Sequence, residues 1–193
     1  MKLQFAIVIG AILIGSLATV NMAFVSDDTS ANTLKSSAGM LGHITLTAMD
    51  EDGNVIAYRQ TDNVVINSGD DCLLENAFGA TTNCNLPTTA FDFVHIGTDS
   101  TGSFSETSTD IGTYARQTAG TLLSQTTASA GSGASATIQA AFFDVNANIA
   151  EAGLRNAALS ASGDTLALQK FTPISLGATD DLTIEWTVTI DGS

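Results

Sequence analysis

The C-terminal stretch Asp181 to Ile190 places Leu182, Ile184, Trp186, Val188 and Ile190 at every second position, with Thr183, Glu185, Thr187 and Thr189 between them. A period of two belongs to an extended strand with one dry and one wet face, and a helix does not sort residues this way. Burying the five apolar side chains contributes about 1.5–3 kcal/mol each, so the chain folds around a sheet. A second alternation, Ile44, Leu46 and Ala48 against Thr45 and Thr47, opens the folded part near Gly42. Asp52-Gly53-Asn54 then turns the chain into Val55–Tyr58, a hairpin signal. Val64-Val65-Ile66 leads to the one helical pattern: Ser68 is placed to cap a helix through Phe78, with Leu73, Leu74, Ala77 and Phe78 on one face and Gly79 as its stop. Further strands are expected at Phe91–Ile96, Thr137–Phe143 and Thr165–Phe171, separated by turn-rich stretches at Thr98–Gly112 and Ser129–Ser135. Short strands with one short helix and no long repeat predict a mostly β chain. The expected fold is an antiparallel β-sandwich, jelly-roll or immunoglobulin-like, over residues 42–193.

The N-terminus reads differently. Lys2 precedes an apolar run from Phe5 to Leu17, and Ser16-Leu17-Ala18 offers a small-x-small cleavage pattern, so residues 1–18 are expected to be a signal peptide. An uncleaved membrane anchor over residues 1–25 is the rival reading, and both send the rest of the chain out of the cytoplasm. Within residues 19–25, Val20, Met22 and Phe24 alternate with Thr19, Asn21 and Ala23, a short candidate strand. Residues 26–41, polar and small, read as a flexible tether behind it. An apolar strand on a tether suits donation to a neighbour's open sheet; the bland reading is the tail of the signal or anchor. Cys72 and Cys84 form an even pair at short spacing, expected as one local disulfide contributing about 3 kcal/mol at most, with two free thiols as the alternative.

Twenty acidic against six basic residues give a net charge of −14, and the cations are scattered, which excludes nucleic-acid partners. No nucleophile elbow, phosphate loop, dinucleotide fingerprint or zinc spacing is present, and the two histidines, His43 and His95, lie inside strand patterns. His95 shares a face with Phe91 and Phe93 and reads as a packed histidine. Trp186 reads as a core anchor rather than a sugar platform. The chain is therefore expected to be no enzyme and to need no cofactor, with calcium as the one ion to weigh. Asp50, Asp52 and Asn54 set oxygens at alternate positions around a turn, as calcium loops do, although hairpin turns use the same residues. Asp99 with Asp110, or Asp180 with Asp181, are further candidates for an intersubunit ion.

Several segments carry a resemblance. FDFVHIGTDS at 91–100, Ala115-Arg116-Gln117, the run Glu151-Ala152-Gly153-Leu154-Arg155-Asn156-Ala157, Leu166 to Ile174, and Asp181 to Ile190 resemble a family of phage- and virus-associated structural proteins, over roughly residues 64–190. In the residues themselves, Gly153 permits a tight turn or bulge, and Arg155 meets Glu151 or another nearby carboxylate in an exposed pair. The resemblance implies a tail, fibre or capsid-associated β domain that binds copies of itself or neighbouring structural proteins. The secretion signal departs from that pattern and favours a cell-surface filament or a virion protein inserted through a host membrane. The expected function is a self-associating structural subunit, extracellular or on a virion. The alternative is a monomeric adhesion module recognising a glycan or protein.

Overall fold

The computed structural model describes residues 39–79, 84–85, 89–129, 133–158 and 163–191. Ten strands and one helix follow one another as β1 (Gly39–Met49), β2 (Val55–Asp62), β3 (Val64–Val65), α1 (Asn67–Phe78), β4 (Phe93–Gly97), β5 (Tyr114–Ala119), β6 (Thr121–Thr126), β7 (Ala134–Phe142), β8 (Asn148–Arg155), β9 (Thr165–Ser175) and β10 (Asp181–Asp191). They form two antiparallel five-stranded sheets, ordered β2-β1-β10-β7-β6 and β3-β9-β8-β4-β5. The two sheets pack face to face as a sandwich, as expected.

The alternations set which face is dry. Ile44 pairs with Trp186, Leu46 with Ile184 and Ala48 with Leu182 along β1 and β10. All six are fully buried against Val94, Ile96, Ala152, Leu154 and Ile174 of the opposite sheet. The other face of β1, β10 and β7 carries the threonines, laddered by Thr137 to Thr187 at 3.0 Å and Gln139 to Glu185 at 2.9 Å. Trp186 is the anchor expected of it: its ring is buried, and its Nε1–H donates to Asn63 Oδ1 at 3.1 Å.

Asn63 is also where the chain changes sheet. It alone separates β2, the margin of the first sheet, from β3, the margin of the second. On the opposite side Gly120 alone separates β5 from β6 in the same manner. Both lateral margins of the sandwich are thus bridged by continuous chain.

The structure departs from the sequence expectations in several places. β1 begins at Gly39, so residues 39–41 belong to the sheet and not to the tether; residues 1–38, with the signal or anchor and the candidate strand 19–25, lie outside the described residues. Ser68 does not cap α1: the N-cap position falls to Ile66 without a side-chain hydrogen bond, and the Ser68 hydroxyl donates to the Thr165 carbonyl at 3.1 Å. Of the expected apolar face of α1 Leu73 alone packs on the core, whereas Leu74 at 60%, Ala77 and Phe78 at 80% are exposed and Gly69, Cys72 and Glu75 are the buried positions. The reason is contact and crosslink. A Cβ on Gly69 would stand 2.5 Å from Leu166 Cα, so this small residue lets the helix lie on β9. The Cys72–Cys84 disulfide and the Glu75 carboxylate, which accepts the Cys84 N–H at 2.9 Å, hold the same face inward. Gly153 makes no turn. Residues 148–155 are an inner strand of the second sheet, buried from Ile149 to Arg155. β5 and β6 were likewise not foreseen.

Because Trp186 is closed in on all sides, Trp186→Ala is expected to cost about 3–5 kcal/mol, read from the shift of a cooperative denaturant transition. An unchanged midpoint would show that the two sheets do not depend on this contact.

Candidate functional site

The densest set of charged side chains lies on the outer face of the second sheet, beneath the segment 98–113. β8 is buried on both faces. Ile149, Ala152 and Leu154 turn toward the main core, whereas Glu151 and Arg155 meet groups of the covering segment. Glu151 is fully buried, and its carboxylate accepts the N–H groups of Thr113 at 2.7 Å, Gly112 at 2.9 Å and Asp99 at 3.3 Å. Its cross-strand neighbour is Lys170 of β9, whose Nζ lies 3.5 Å from Glu151 Oε2 and 2.8 Å from Asp99 Oδ2. Asp99 also accepts from the Thr101 hydroxyl at 2.7 Å and the Thr101 N–H at 2.9 Å. Lys170 first, then Thr101, holds the Asp99 carboxyl well below the usual carboxylate range. The Phe104 ring lies 5.1 Å from the ammonium, and Ile111 packs with Ile66 and Leu168 to seal the cover.

Four residues further along β8, Arg155 donates to Asp110 Oδ2 at 2.7 Å and to the Gly163 carbonyl at 2.8 Å. Arg155 therefore meets a nearby carboxylate rather than Glu151, and the pair is largely enclosed, correcting the expected exposed pair. Asp99 and Asp110 each pair with a different cation, Lys170 and Arg155. His95 is buried as anticipated, but beside Arg155 and Asp110. Its ring meets Tyr114 edge-on at 6.1 Å, and neither ring nitrogen has a hydrogen-bond partner of ordinary geometry. Burial, followed by the Arg155 charge, lowers its pKa from 6.5 to about 4, against weaker opposing pulls from Asp110 and the Ala157 backbone.

The remaining sequence candidates have plainer surroundings. Asp50 closes its own turn, accepting from Asn54 N at 2.8 Å, Asn54 Nδ2 at 3.0 Å and Asp52 N at 3.1 Å, and these bonds with Asn54 hold its carboxyl low. Asp180 accepts the Gly177 N–H at 2.7 Å, and Asp181 accepts the Asp144 N–H at 3.3 Å. Cys72, Cys84 and Asp164 converge within ligand distance of one another, but the sulfurs are joined to each other and Asp164 accepts the Asn85 N–H at 2.7 Å. His43 sits on the threonine-bearing face, where its Nδ1 lies 3.1 Å from Asp62.

Among the openings on the surface, two lie where acidic or apolar groups gather. A cleft of about 570 Å³ beside the start of β1 is lined in part by Asn63, Asn67, Asp70 and Glu106. Burial, then Asp71 and Glu106, raises the Asp70 pKa there. A groove of about 260 Å³ is mainly apolar and lies between Ile138, Val188 and Ile190 of the first sheet and Leu154 and Leu166 of the second, with Leu73 and Phe91 at its wall. Gln125 and Thr126 of β6 border it. Every residue of β6 is exposed, including Leu122 at 53% and Leu123 at 50%, and β6 is a margin strand of its sheet.

No family model, curated protein or solved structure matches the chain. Among the described residues no helix is long and apolar enough to cross a membrane, and the buried disulfide is a bond of oxidising compartments.

His95 gives the enclosed cluster a pH signature. Its pKa is lower in the folded chain than its ordinary value, so the unfolded chain binds the extra proton. Its contribution is fully present above pH 6.5 and is lost as pH falls toward about 4, amounting to about 3 kcal/mol over that window. Urea denaturation between neutral pH and about pH 4 is expected to show this loss in the parent and a flatter profile in His95→Gln. Identical slopes would remove His95 as its source. The Asp99 contribution falls away separately, below its ordinary value of 3.8.

Proposed function

We propose that this chain is a structural subunit of an extracellular filament or virion-surface assembly, that it associates with copies of itself, and that it turns over no external substrate. The observation that carries this reading is the pairing of β6 with the apolar groove beside it. A margin strand exposing two leucines next to an opening into the core is the kind of edge that proteins normally blunt with charge, proline or a covering segment. β6 carries neither charge nor proline in Thr121-Leu122-Leu123-Ser124-Gln125-Thr126. The chain also contains a segment suited to cover it. Val20, Met22 and Phe24 alternate within residues 19–25, so a strand laid along this edge directs one apolar row into the groove and leaves Thr19, Asn21 and Ala23 outside. Thirteen residues, 26–38, separate this segment from β1; fully extended they reach about 40–45 Å, enough to engage a neighbouring subunit. Among the described residues the buried charged groups are taken up in mutual pairs, which supports a packing role for them.

The reading is tested on the exported chain by negative-stain microscopy and light scattering. The parent is expected to polymerise, and deletion of residues 19–25 or the exposed Leu123→Asp is expected to leave a folded monomer. A parent that stays monomeric at high concentration overturns self-association, and a glycan or protein ligand for that monomer would make it an adhesion module. Polymers that survive both changes overturn the strand-donation route.

A further inference from the structure

We propose that Lys170 and Asp99 become joined by an intramolecular isopeptide bond, formed after folding without any added reagent, with Glu151 as the catalytic acid and base. An amide between a lysine and an aspartate side chain requires the amine against the carboxyl carbon, a group that moves protons between them, a site for the developing negative charge, and exclusion of water. Each is found here. Lys170 Nζ stands 2.8 Å from Asp99 Oδ2. Glu151, with no exposure, places Oε2 3.5 Å from the same nitrogen. The other Asp99 oxygen, Oδ1, receives both the Thr101 N–H and the Thr101 hydroxyl, two donors fixed where an oxyanion would form. Phe104 lies over the amine, and the Lys170 side chain is only 13% exposed.

A simple ion pair needs one carboxylate. Here a second, wholly buried one reaches the same ammonium, and the backbone makes room for both. A Cβ on Gly97 would fall on Glu151 Oε1, and one on Gly112 would stand 2.5 Å from Asp99 Oδ2.

The reaction balances within the chain. Glu151 takes one proton from the Lys170 ammonium and passes it to Asp99 Oδ2, so that a neutral amine faces a neutral carboxyl. The amine attacks Cγ, and Oδ1 carries the developing charge toward Thr101. The Cγ–Oδ2 bond breaks as a second proton leaves the nitrogen through Glu151. One water departs, the amide retains one N–H, and Glu151 is again ionised. The ion pair is the resting form and the neutral pair a minor one, so the bond forms slowly after folding. It does not depend on the assembly role, because it lies within one chain.

Intact-mass spectrometry of the folded parent after prolonged incubation at neutral pH tests the inference. The expected mass is one water below that of the disulfide-bonded sequence, with a branched peptide linking the residue 99 and residue 170 fragments after proteolysis. Lys170→Arg keeps a positive charge beside Asp99 but has no attacking amine, and is expected to fold and retain the full mass. Glu151→Gln is expected to slow or abolish the loss. A folded parent that keeps the water, or a Lys170→Arg chain that also loses it, overturns the proposal.

Discussion

The Glu151 carboxylate organises the second sheet. A fully buried acid in an inner strand is costly unless its oxygens are satisfied, and Glu151 meets that demand with three backbone N–H groups of the segment that crosses above it. The segment is thereby fixed on the sheet, and its own side chains fall into place: Ile111 and Phe104 on the apolar patch around Leu168, Asp99 on Lys170, Asp110 on Arg155. An exposed connection would contribute little to stability. Pinned in this way, it becomes a third layer over β8 and β9, and it shuts His95 away from solvent.

β1 and β10 of the first sheet were legible because they are wet on one face. Leu182 to Ile190 and Ile44 to Ala48 carry their address in their alternation, and Trp186 stands where that alternation puts it. β8 was not legible for the opposite reason. With both faces covered, Ile149-Ala150-Glu151-Ala152-Gly153-Leu154-Arg155 has no period, and its glycine and charges imitate a turn. β5 and β6 hid differently: their residues are largely polar and exposed, and the pattern breaks where Gly120 carries the chain across. In α1 the apolar spacing holds for Leu73, while the disulfide and the close packing of Gly69 turn Leu74 and Phe78 outward.

The ionic cluster shows the same limit more sharply. Asp99, Glu151 and Lys170 come from three distant parts of the chain, and no spacing rule joins them before the strands are paired. The register that sets Glu151 opposite both Gly97 and Lys170 is what assembles the group. One signal was available in retrospect. In a chain with only six cations, an acid and an arginine four positions apart inside an otherwise apolar run deserved a reading as strand interior.

The single-residue crossings at Asn63 and Gly120 have a mechanical consequence. Each sheet begins where the other leaves off at both flanks, so the layers cannot slide past one another or part like the covers of a book without first unzipping a margin strand. A tensile load entering at Gly39 passes directly into β1 and β10, the longest hydrogen-bonded ladder among the described residues.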